Sequence, residues 1–134
     1  MRTDARDEGR ILRKAIDAVR GTLPLGVTGA EWASEALTIW GRGWSFSTMS
    51  GWRLSRRGTL VASVFHEPRA AAAALIGRNL IELKGRTGIP ADDPVLVFDD
   101  DLVLEVSVDL PMEPWVFRIE GASFVPSDVR DSRL

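Results

Sequence analysis

The chain of 134 residues contains no cysteine and no tyrosine, a single histidine, His66, and only two lysines, Lys14 and Lys84. Without cysteine there are no disulfides, no thiolate nucleophile and no cysteine-ligated zinc or iron–sulfur centre. One histidine excludes two-histidine zinc motifs of the HExxH kind, and His66-Glu67-Pro68 does not resemble one. Long apolar runs are missing too. The longest, AAAALI at 71–76, falls far short of the ~20 residues a membrane helix needs. The opening stretch MRTDARDEGR is charged and lacks the apolar core of a signal peptide, so the expected address is cytoplasmic, with no membrane contact.

What is present fits one globular domain: 45% apolar and 27% charged residues, in a chain long enough to bury roughly two-thirds of its unfolded surface. We expect a single domain over residues 1–126 and a frayed polar tail over 127–134. The net charge of −2 hides an asymmetry. Residues 1–91 hold 14 basic and 8 acidic side chains, a net of +6, while residues 92–134 hold 3 and 11, a net of −8. No basic residue stands between Thr87 and Phe117. Either the two halves complement each other within the molecule, or the acidic one forms a face for a basic partner.

Periodicity predicts a helix from Asp4 to Arg20, with Ile11, Leu12, Ala15, Ile16 and Val19 on one face. Gly21 and Pro24 end it. Thr28-Gly29-Ala30-Glu31 has the form of a capping box, which predicts a second helix carrying Trp32 and stopping near Leu37. Alternation then takes over. Trp40, Trp44, Phe46, Trp52 and Leu54 all have even numbers, as expected of a meander with one buried face and turns at Gly41–Gly43 and Ser50-Gly51. A strand over Leu60–Phe65 and a helix from Pro68 through the alanines to Gly77 should follow. Further strands are expected at Leu80–Lys84, Val95–Phe98, Leu102–Val108 and WVFRIE. The expected architecture is α+β: a twisted antiparallel sheet of about six strands, with two or three helices packed on one face.

The run Asp99-Asp100-Asp101 lacks the alternate spacing and the glycine of a calcium loop, and its flanks are strands rather than helices. It reads as a turn between strands, with a role in an acidic surface left open. Ser45 in GWSFS lacks the second glycine of a nucleophile elbow, and GRG and GRTG fit no phosphate-binding loop. No catalytic, metal or cofactor site is expected. Arg42, Arg53, Arg56 and Arg57 lie among Trp40, Trp44 and Trp52, a composition that can hold nucleic acid. Parity, however, puts Arg53 and Arg57 on the face opposite the tryptophans, and the chain is acidic overall, which argues against that partner.

The stretch VLVFDDDLVLEVSVDLPMEPWVF, within Leu75 to Ile119, resembles a pattern in small bacterial α+β proteins, some of them immunity proteins encoded beside toxins. The resemblance covers about a third of the chain. It implies a non-enzymatic inhibitor that occludes a basic, toxin-like protein, and it carries over no active site. The partner-binding residues would be Asp99, Asp100, Asp101, Asp109, Met112 and Glu113. On that reading, reversing the three consecutive aspartates to lysine should slow association and leave the fold intact. Two other classes stand beside it. One is a small-ligand or regulatory domain with a pocket lined by Trp32, Trp40 and Trp44. The other is a homodimer paired through an open sheet edge.

Overall fold

The computed structural model describes residues 10–85, 93–107 and 115–125. Helix α1 (Arg10–Arg20) buries Leu12, Ala15 and Val19 at helical spacing, with Ile11 and Ile16 packed beside them and Arg20 in its last turn. The expected first turns from Asp4 lie outside the described residues. Next come β1 (Leu25–Gly26), β2 (Gly29–Ala33), β3 (Ala36–Gly41), β4 (Trp44–Thr48), β5 (Gly51–Arg56) and β6 (Thr59–Ser63). Helix α2 (Pro68–Leu75) begins on a proline, whose missing N–H is one the first turn leaves unpaired anyway, and Gly77 follows it at φ 89°. The remaining strands are β7 (Asn79–Gly85), β8 (Pro94–Phe98), β9 (Leu102–Ser107), β10 (Trp115–Ile119) and β11 (Ala122–Phe124).

The strands form two open antiparallel sheets rather than the single sheet of about six expected. The first runs β1-β7-β8-β9-β5-β6 and the second β11-β10-β4-β3-β2. The chain changes sheet at Met49-Ser50, where the Ser50 N–H donates to the buried Thr48 hydroxyl over 3.1 Å. Alternation is the same before and after that corner, so periodicity cannot reveal it. Nor do the helices share one face. Helix α1 packs on β7 of the first sheet and on β10 and β11 of the second; α2 packs on β6 and on β2 and β3. Each helix therefore straddles both sheets.

Two local expectations are also corrected. The stretch after Thr28 is strand β2, not a helix. It pairs with β3 through the two-residue turn Ser34-Glu35, whose φ angles of 52° and 63° carry the positive values of a type I′ hairpin. Instead of capping a helix, Thr28 donates its N–H and its hydroxyl to the Trp40 carbonyl. The rule that even residues face inward fails on β3. There the two-residue turn Arg42-Gly43 sets Ile39 opposite Phe46, so odd positions meet even ones. Leu37 and Ile39 are buried and Trp40 is exposed.

Both sheets supply one core. Leu83, Leu96, Leu104 and Leu54 form a row of paired leucines across β7, β8, β9 and β5. The second sheet contributes Leu37, Ile39, Trp44, Phe46, Trp115, Phe117 and Ile119 to the same cluster. Its aromatics stack, Phe46 on Trp115 and Trp44 on Phe117.

Candidate binding clefts beside the Phe65 turn

The three aspartates do form the β8–β9 connection, with Asp100 and Asp101 at φ 63° and 60°. Their carboxylates diverge. Asp99 accepts the Asn79 N–H at 3.0 Å and its side-chain amide at 2.8 Å. The Asn79 backbone N–H, then its amide group and the nearby Arg78 charge hold the Asp99 carboxyl below its ordinary pKa. Asp100 pairs with Arg56 at 2.8 Å and Arg78 at 3.5 Å, and Asp101 with Arg57 at 2.8 Å. At this turn the basic part of the chain neutralises the acidic part within the molecule. Asp109, Met112 and Glu113 lie outside the described residues.

The tryptophans expected to line one pocket are dispersed. Trp44 is buried on Phe117, and its indole N–H donates to the Gly26 carbonyl over 3.0 Å, which makes it a core residue. Trp40 lies against Gly29 and is partly in solvent. Trp32 lines a cleft, and its companion is Trp52, edge to face at 5.9 Å. Arg53, the next residue after buried Trp52, points to solvent, so a base-stacking surface of alternating Trp and Arg does not form.

The feature that sequence reasoning missed is the turn after β6. Ser63 and His66 exchange both main-chain hydrogen bonds, at 2.8 and 3.1 Å. The Ser63 hydroxyl accepts the Phe65 N–H, and the Val64 N–H donates to the Trp52 carbonyl. This bonding fixes the backbone of a residue whose side chain is 94% exposed, Phe65. Leaving a phenylalanine in water forgoes about 1.5–3 kcal/mol of burial, so a rigid, bare one is a feature to explain.

Phe65 and Val64 stand between two clefts. One, of about 390 Å³, has walls of Trp32, Glu35, Met49 and Ser50. The other, of about 420 Å³, is walled by Trp52, Arg53, Leu60 and Ser63. Gly51 is common to both, and Met49 and Leu60 are exposed apolar side chains. Two buried polar atoms in these walls, Ser50 Oγ and Trp52 Nε1, have no hydrogen-bond partner among the described residues. Each such group costs roughly 1–3 kcal/mol. The walls are mainly apolar, with Glu35 in one cleft and Arg53 in the other. No described side chain forms a nucleophile–base pair there, and the imidazole of His66 is exposed. The one sequence signal was an apolar pair, Val64-Phe65, directly ahead of a polar His-Glu-Pro linker.

Among the described residues no group of three or more acidic or histidine side chains is arranged to hold a metal ion, and no helix is long and apolar enough to cross a membrane. Compared with known proteins, the chain matches no family model, no curated protein and no solved structure, which leaves geometry to carry the functional reading.

Proposed function

We propose that the protein is a non-enzymatic binding module that engages a partner protein through Phe65 and the two clefts it separates. The observation that carries this reading is the 94% exposure of a phenylalanine on a turn whose four N–H groups, Ser63 to His66, are all hydrogen-bonded. An exposed aromatic knob on a hydrogen-bonded turn beside apolar hollows has the make-up of a binding hot spot, since the backbone that carries it needs no ordering on contact. A small ligand filling one cleft would leave the knob in water; a protein surface covers both.

The immunity-type reading, in which Asp99, Asp100, Asp101, Asp109, Met112 and Glu113 cover a basic toxin, draws less support. Asp100 and Asp101 already face arginines of the same chain. Capture from host lysate at low and high salt, using tagged wild type and Phe65→Ser, separates the two. A partner held at both salt levels and lost with Phe65→Ser supports the knob. A partner that ignores Phe65→Ser and leaves as salt rises transfers the function to the acidic surface.

A further inference from the structure

The proposed binding function says that Phe65 is inserted somewhere; the patch around it indicates where. Resting on that reading, we propose that the partner is a second copy of this chain, joined about a two-fold axis so that each Phe65 enters the Trp32–Met49 cleft of the other.

A two-fold interface must be self-complementary: whatever a residue meets across the axis, the mirror contact also occurs. A knob and a hollow side by side on one surface meet that condition. Here the knob is Phe65, and the adjoining hollow of about 390 Å³ lies between Trp32, Met49 and Ser50. An axis running between knob and hollow carries the knob of one copy into the hollow of the other, twice. A single-sided hydrophobic knob with no neighbouring hollow would call for a different molecule.

The charges make the same point independently. Arg53 and Glu35 belong to the two different clefts that Phe65 separates. Arg53 walls only the far cleft and Glu35 only the near one, while Val64 and Phe65 wall both. The axis that seats Phe65 therefore brings Arg53 of each copy to Glu35 of its mate. At home Arg53 has a long, solvent-exposed pair with Glu105 at 3.9 Å, and Glu35 is exposed at a hairpin tip. A strongly basic or acidic partner would find one favourable and one opposing charge on this patch; a second copy finds both matched. Leu60, exposed on the last strand of the first sheet, extends the apolar area beyond Arg53.

The test is sedimentation equilibrium of the full chain over micromolar to millimolar concentrations, with circular dichroism to verify each variant's fold. Wild type should dimerise, and Phe65→Ser should raise the dimer dissociation constant by about 30-fold or more, the effect of losing a hot spot. Because Phe65 touches so little of its own fold, that variant should stay folded. Arg53→Glu and Glu35→Arg should each weaken the dimer, and the double variant should recover most of the loss. A monomer at every concentration overturns the dimer, and so does a dimer in which the double charge swap is no better than the single ones. The lysate capture keeps the two proposals apart. A monomer that still holds a different protein through Phe65 leaves the binding function standing, whereas a dimer indifferent to Phe65→Ser, with no Phe65-dependent capture, removes both.

Discussion

At the scale of single residues, the tightest constraint is a close approach of backbone to backbone. A β-carbon on Gly41 would run into the Gly26 carbonyl oxygen and the Trp44 indole nitrogen, the two groups joined by a 3.0 Å hydrogen bond. Gly41→Ala must therefore push β1 off β3 and break that bond. Overpacking together with a lost buried hydrogen bond predicts a destabilisation of about 2–4 kcal/mol, readable as a lowered urea midpoint. An unchanged midpoint would mean that the strands part without cost. Asp99 makes a second constraint, this one dependent on pH. Its carboxyl is held low chiefly by the Asn79 N–H, so its contribution to stability is complete above the unfolded-state pKa of about 3.9 and is lost as pH falls through the lower native value. The thermal midpoint of wild type should exceed that of Asp99→Ala by a steady margin from neutrality down to about pH 5, and the margin should close in stronger acid. A margin that does not change with pH would show that Asp99 acts through shape alone.

At the scale of elements, the strands that the sequence makes legible are those whose alternation is undisturbed. Strand β9 buries Leu102, Leu104 and Val106 in turn, and β10 does the same with Trp115, Phe117 and Ile119. Helix α2 was legible from its proline start and glycine end. What escaped were features decided by pairing. Gly29–Ala33 has a helix-cap pattern at its start, yet it takes its hydrogen bonds from β3, which no local pattern announces. The shifted parity on β3 follows from the length of the Arg42-Gly43 turn, and the strands β1 and β11 are too short to show a period. The candidate site was the least legible part. Its residues come from β2, the Met49-Ser50 corner and the Ser63–His66 turn, distant stretches brought together only by the change of sheet. The leucine row shows what such pairing is worth. Leu104→Ala, at a fully buried position between Leu96 and Leu54, should cost about 2–5 kcal/mol in urea unfolding. A cost near zero would mean that the row does not close the core between sheets.

At the scale of the whole molecule, the split of charge along the chain resolves in part into ion pairs between its two halves: Arg56 and Arg78 with Asp100, Arg57 with Asp101, Arg53 with Glu105. Replacing Asp99, Asp100 and Asp101 together by lysine is therefore not neutral for the fold, contrary to the sequence-based expectation. It removes the acceptor for Asn79 and sets three new cations against Arg56, Arg57 and Arg78, so the variant should unfold at lower urea than wild type. The native pairs lie at the surface, with side chains 36% exposed or more, which limits each to about 1 kcal/mol or less. Chloride and sulfate then act on different interactions. Sodium chloride should lower folding stability slightly by screening these pairs. Sodium sulfate, which strengthens apolar burial, should tighten any contact made by Phe65, Met49 and Trp32. Urea melts and sedimentation run in parallel across both salts measure the two effects separately. Association that fades as chloride rises and is unchanged by Phe65→Ser would locate the contact on the acidic residues instead. Association that strengthens in sulfate, weakens only modestly in chloride and is lost with Phe65→Ser belongs to the aromatic patch, with the exposed Arg53 and Glu35 charges adding to it.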